Sequence, residues 1–148
     1  MIPILLALAP LAPDNGCRCA DLDPTLAAWT RLAALAVAVD AGRVLVCHNG
    51  RRGGGHGRHP EGRAVDLVLD GDGWSYTAAQ RRFEAGGTAQ RAFYVAGDVA
   101  LATGITWGLA AWDSVVEFGH FERPAAGRWP WPVPQLLLWA IPNAGGCR

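Results

Sequence analysis

Residues 56–69 read HGRHPEGRAVDLVL, and their interpretation decides the fold. Two of the chain's four histidines, His56 and His59, stand in a glycine-rich stretch, and seven residues after His59 an aspartate, Asp66, sits inside an apolar run. Arg63–Leu69 (RAVDLVL) has the length and the Val/Leu content of a buried strand. A carboxylate is costly to bury without a partner, so Asp66 calls for one. Two roles satisfy that demand: a hydrogen-bonded buried acid, or a metal ligand. His59 likewise has two readings, a solvated loop histidine or a ligand.

Upstream, residues 49–58 (NGRRGGGHGR) hold five glycines in ten positions, which is incompatible with regular structure. Before them, residues 43–48 (RVLVCH) read as another buried strand. A helix is expected over 25–39, with Asp23 as N-cap, Pro24 in the first turn and a stop at Asp40-Ala41-Gly42. Leu26, Trp29, Leu32, Ala33 and Ala36 would form its inward face. Downstream, Asp70-Gly71-Asp72-Gly73 closes the second strand, and helices are expected over 77–84 and 88–103. Ala92, Val95, Val99 and Ala102 would point inward. Residues 104–108 (GITWG) should turn into a hairpin or strand pair, and 114–122 (SVVEFGHFE) read as a further strand. This order predicts an α+β domain: a small, mainly antiparallel sheet with helices on one side.

A chain of 148 residues fits one domain, 1–148. Residues 1–22 form an N-terminal segment, either a signal or a packed arm. Residues 124–148 form a Trp/Pro-rich tail expected to wrap the surface. The formal net charge is zero, which argues against nucleic acid as a partner. The apolar start, Met1–Pro13, offers roughly 10 apolar residues against the about 20 needed to span a bilayer, so no stable membrane span is expected. It also lacks the basic start of a secretory signal. The seven tryptophans exceed what a core of this size needs, and an aromatic-lined groove is one use for them. Of the four cysteines, Cys47 lies in an apolar run and reads as a core residue, while Cys17 or Cys19 could bridge to Cys147. Free thiols are the alternative.

The fourth histidine lies in Glu117-Phe-Gly-His120-Phe-Glu122. In a regular strand residues three apart face opposite ways, so Glu117 and His120 share a site only if the backbone twists between them. Gly119 would permit that twist. Two imidazoles and a carboxylate, His59, Asp66 and His120, suit a catalytic Zn²⁺ with its fourth position left to water. Glu117, outside the coordination shell, could take that water's proton and pass it to a leaving amine. His120 also has a plainer reading, a satisfied core histidine. Glu61 and Glu122 read as solvated.

The pattern His59-x-x-Gly62-x-Ala64-x-Asp66, followed by an apolar strand, resembles a signature of the M15 zinc peptidases. So does the second stretch, Gly104-Ile-Thr-Trp107-Gly108, then Trp112, then Glu117-x-x-His120-Phe121-Glu122, which is similar to the ending of the short endolysin-like branch. The resemblance spans residues 44–123. It implies a hedgehog-like or D,D-peptidase-like α+β fold, one zinc on His59, Asp66 and His120, and Glu117 as general base. The implied substrate is a peptidoglycan stem peptide, cut at L-Ala–D-Glu, with D,D-carboxypeptidase or dipeptidase activity as the alternative. A monomer acting on the cell wall follows, whether exported, periplasmic or released by a phage at lysis. The family also carries a substrate or oxyanion arginine; Arg52, or else Arg51, would fill that role. Gly57 stands where relatives have serine. A binding or structural domain retaining the fold without catalysis is the reading from a different class, and an intact Glu117 favours the enzyme.

Overall fold

Four short strands form one antiparallel sheet: β1 (Leu45–Asn49), β2 (Ala64–Leu69), β3 (Thr106–Trp107) and β4 (His120–Glu122). Their spatial order is β1-β2-β4-β3, so the last strand inserts between β2 and β3. The computed structural model describes residues 22–50, 58–72 and 75–124. The α+β architecture expected from the order of elements is the one observed.

The strand β2 is buried along its whole length, as its Val/Leu content demands. The sequence reads correctly here because a strand covered on both faces has no polar face to alternate with. Helix α1 (Pro24–Ala41) begins where Asp23 and Pro24 indicate. The Asp23 carboxylate accepts from the amides of Thr25 at 3.0 Å and Leu26 at 3.4 Å. Gly42, at φ 62°, ends the helix. Leu26, Trp29, Ala33 and Val37 of α1 are buried against the sheet and helix α3 (Gly87–Thr103), while Leu32 and Ala36 are only partly covered. In α3 the buried face is Ala89, Ala92, Phe93, Ala96, Gly97 and Ala100. The expected stripe is therefore corrected: Ala92 holds, Val95 and Val99 sit at its margin, and Ala102 is exposed. Most of this face is small, which lets neighbouring elements approach closely: a Cβ on Gly97 would collide with the Trp107 ring.

Helix α2 (Tyr76–Glu84) starts at the cap Ser75, whose hydroxyl accepts from the Ala78 amide. Phe83 of α2, Phe93 of α3 and Phe118 form an aromatic cluster with centroids 4.7–5.9 Å apart. A second cluster joins Trp29, Trp107 and Phe121. Each fully buried aromatic ring contributes roughly 1.5–3 kcal/mol of transfer free energy, so Phe118 and Phe121 anchor the segment between them firmly.

Two sequence expectations fail at the C-terminal side of the sheet. Residues 104–108 do not make a strand pair on their own. β3 is two residues long and is followed at once by a short helix, α4 (Gly108–Trp112). Nor is 114–122 one strand: Val115–Glu117 is a 3₁₀ turn, and only His120–Glu122 is extended. Alternating Val, Phe and His residues look strand-like, but the sheet accepts only the three that find a partner on β2. Cys47 is buried as expected, yet it is disulfide-bonded rather than a free core thiol. The other three cysteines, Cys17, Cys19 and Cys147, lie outside the described residues. No helix among the described residues is long and apolar enough to cross a membrane.

Candidate metal centre

The antiparallel register of β2 and β4 pairs Asp66 with His120 and Ala64 with Glu122. Directly opposed residues share a face of the sheet, and so do residues two apart on one strand. Asp66, His120 and Glu122 therefore project to the same side. Opposite Glu122, Ala64 contributes only a methyl.

His59 reaches this face from a 3₁₀ turn, His59–Glu61, that immediately precedes β2. Gly62 ends the turn at φ 69°, and its amide donates to the His59 carbonyl at 2.9 Å. That backbone conformation is strained for any residue with a Cβ, which is the physical content of the glycine three residues after the histidine. The Gly62 carbonyl in turn accepts from the Asp23 amide, and the Arg123 amide donates to the Arg63 carbonyl, both at 2.8 Å. The turn is thereby tied to the start of α1 and to the residue after β4.

His59, Asp66 and His120 are all buried, and one ligand atom from each lies within 4.8 Å of the others. The hydrogen bonds decide which atoms these are. The His59 Nδ1 stands 2.8 Å from the Gly50 carbonyl, which can only accept, so Nδ1 carries the proton. Its Nε2 then faces Asp66 Oδ1 at 3.4 Å and has no hydrogen-bond partner among the described residues. For His120 the pattern is reversed. Its Nε2 is 3.3 Å from Glu122 Oε2, and its Nδ1 is 2.9 Å from Asp66 Oδ1. With Nε2–H donated to Glu122, the Nδ1 lone pair also points at Asp66. In that tautomer of His120 two imidazole lone pairs and a carboxylate oxygen converge, an arrangement that repels unless a proton or cation sits among them. The residues fit a divalent cation held by His59 Nε2, Asp66 Oδ1 and His120 Nδ1.

The electrostatics agree. Burial alone would raise the pKa of Asp66, but the hydrogen bond with His120 and the two imidazoles beside it hold it far below the usual carboxylate range. Burial would lower the pKa of His120, and the contact with Asp66, assisted by Glu122 and Glu117, raises it above its ordinary value. A protonated His120 is the metal-free solution to the same crowding of negative charge.

Glu117 stands at the rim. Its side chain is 38% exposed, and Oε2 lies 3.9 Å from His120 Nδ1. The sequence problem of two residues three apart sharing a site is solved by the 3₁₀ turn at 115–117, with Gly119 bridging into β4. Gly119 is required for close approach: a Cβ there would collide with the Leu67 carbonyl. Gly108 does the same beside Glu117, where a Cβ would come within 2.8 Å of both Glu117 Cβ and the Trp112 ring. The Trp107 indole N–H donates to the Phe118 carbonyl at 2.8 Å, fixing the backbone just after Glu117. The Trp112 ring, 48% exposed, lies 5.4 Å from the His120 ring.

The structure therefore brings together His59, Asp66, His120 and Glu117. Arg51 and Arg52, and also His56, lie outside the described residues. Glu122 is corrected: it is not a solvated carboxylate, its side chain is 15% exposed, and His120 is its only partner among the described residues. Its position two residues after a ligand on the same strand face was the signal. Tyr76 and the Gly50 carbonyl were also missed, because they come from distant parts of the chain.

Compared with known proteins, the chain matches no family model, no curated protein and no solved structure.

Proposed function

We propose that this protein is a zinc-dependent peptidase acting on peptidoglycan stem peptides, of the M15 type its two motifs resemble, with the L-Ala–D-Glu bond as target. The observation that carries the reading is the buried convergence of His59, Asp66 and His120 with an exposed carboxylate, Glu117, beside them. Two histidines and one carboxylate leave a tetrahedral cation one open position, the pattern of catalytic rather than structural zinc.

Zinc bound there would supply Lewis acidity, polarising a scissile carbonyl and acidifying a nearby water. The chain's own residues do the rest. Asp66 contributes the negative charge that retains a dication, and the two imidazoles hold it from either side. Glu117, free of any arginine or lysine partner among the described residues, takes a proton from water in the cleft and returns it to the leaving amine. Trp112 offers a flat apolar wall against which a peptide can lie. The disulfide at Cys47 is in keeping with an oxidising compartment, where a cell-wall enzyme works.

The test is digestion of purified muropeptides by the zinc-loaded protein, with product masses identifying the bond cut. One zinc per chain, activity abolished by a chelator and restored by zinc, and fragments ending at L-alanine are expected. Intact muropeptides in the presence of fully zinc-loaded protein would overturn the proposal.

A further inference from the structure

The segment Glu117–His120 has to leave a 3₁₀ turn and enter a strand within two residues, while holding the base near a metal ligand. Phe118 remains helical at φ −58° and ψ −34°. Gly119 is the joint, and it is held on both sides. Its carbonyl accepts from the Leu67 amide at 2.8 Å, next to Asp66. Its amide donates to the Tyr76 hydroxyl at 3.2 Å.

Tyr76 is well placed to act as a fixed post. It is the first residue of α2, directly after the cap Ser75, so its backbone position is set by the helix start. Its ring lies 5.0 Å from Phe118 and 5.8 Å from His48. Packing is close enough that a Cβ on Gly119 would lie 3.1 Å from the Tyr76 hydroxyl. Burial, reinforced by the charges of Asp66 and Glu117, pushes the phenol pKa up, so the hydroxyl stays neutral.

We propose that Tyr76 is a positioning residue for the centre: through the Gly119 amide its hydroxyl sets the gap between Glu117 and His120. A phenylalanine at this position would keep the ring in its place on Phe118 and His48 but leave the Gly119 N–H buried without an acceptor. The joint would then relax, and with it the placement of His120 Nδ1 and of the Glu117 carboxylate. The effect on the metal stands on the ligand geometry alone; the effect on turnover rests on the peptidase reading.

The experiment compares Tyr76→Phe with the parent and with Val37→Ala, a core truncation in α1 away from the cleft. Three quantities are measured: hydrogen exchange of the Gly119 amide by NMR, zinc affinity by competition with a chelating dye, and kcat and KM on a stem peptide. In Tyr76→Phe, Gly119 exchange should rise at least about tenfold, and zinc affinity should fall on the order of tenfold, as for other outer partners of metal ligands. kcat should fall by a similar or larger factor with KM within about twofold. Val37→Ala should lose stability yet keep the parent's zinc affinity and Gly119 protection. Parent-like Gly119 exchange and zinc affinity in Tyr76→Phe would overturn the proposal, as would an equal loss of zinc affinity in Val37→Ala. If the parent cleaves no stem peptide, the peptidase reading fails, and exchange and affinity still decide the role of Tyr76.

Discussion

Replacing Glu122 by alanine should weaken zinc binding about tenfold although Glu122 is not a ligand. Its carboxylate lies 3.3 Å from His120 Nε2, on the side of the ring away from Asp66. That contact keeps the proton on Nε2 and the lone pair on Nδ1, aimed at the metal position. Hydrogen bonds to charged groups are worth roughly 1.5–3 kcal/mol net. At 3.3 Å this one is longer than the 2.7–2.9 Å typical of charge-assisted bonds, which places it near the lower end. About 1.4 kcal/mol corresponds to a tenfold change in Kd. Glu122→Gln, whose amide oxygen can still accept from Nε2–H, should lose only a few-fold. The assay is zinc competition titration at one fixed pH of about 8. Lower pH would confound it, since removing Glu122 also reduces the affinity of His120 for a proton. Nitrogen chemical shifts of the imidazole report the tautomer directly. If Glu122→Ala binds zinc within twofold of the parent and His120 keeps the same tautomer, the assignment of Nδ1 through Glu122 is wrong.

The stabilisation that zinc provides should depend on pH with a definite sign. His120 has a raised pKa through its contact with Asp66, so in the metal-free protein this ion pair is fully present below about pH 6.5 and is lost as pH rises through the folded value. The depressed pKa of Asp66 means the same contact is also lost as pH falls well below about 3.8. Zinc held through Nδ1 would have to displace the His120 proton, so the zinc-induced rise in Tm should be largest at pH 8 and shrink toward pH 5.5; a constant rise across that range would contradict Nδ1 as a ligand. Glu117→Gln should keep parent-like zinc affinity, because its carboxylate stands at the rim rather than among the converging atoms. Its turnover should fall on the order of a hundredfold or more. Hydrolysis at the parental rate would remove Glu117 from the role of base.

Much of the centre was legible because its chemistry is local in sequence. His59, Gly62, Ala64 and Asp66 lie within eight residues, and each has a local reason to be what it is: a candidate ligand, a left-handed turn end, a small neighbour and a buried acid. Helix α1 was legible from its cap, since Asp23 marks the start by satisfying free amides. What misled the reading was also local. The run 114–122 has strand-like residues, but a segment becomes a strand only where a neighbour offers amides and carbonyls, and β2 offers them only to His120–Glu122. The face of α3 was misjudged at Ala102, which is exposed, because the buried stripe runs through Ala89, Phe93, Ala96 and Ala100 instead.

The sequence by itself determined the donor types, the buried acid and the glycines that let the chain turn beside them, because these follow from residue chemistry and spacing of a few positions. Only the tertiary structure decided which nitrogen of each histidine faces Asp66. That choice is made for His59 by the Gly50 carbonyl just past the end of β1, which no one-dimensional pattern brings to its ring, and for His120 by Glu122, two residues along the same strand. The same holds for Tyr76, forty-three residues from the Gly119 amide it accepts from. Long-range pairings of this kind come from packing the whole core, which is a property of the folded chain and not of any segment.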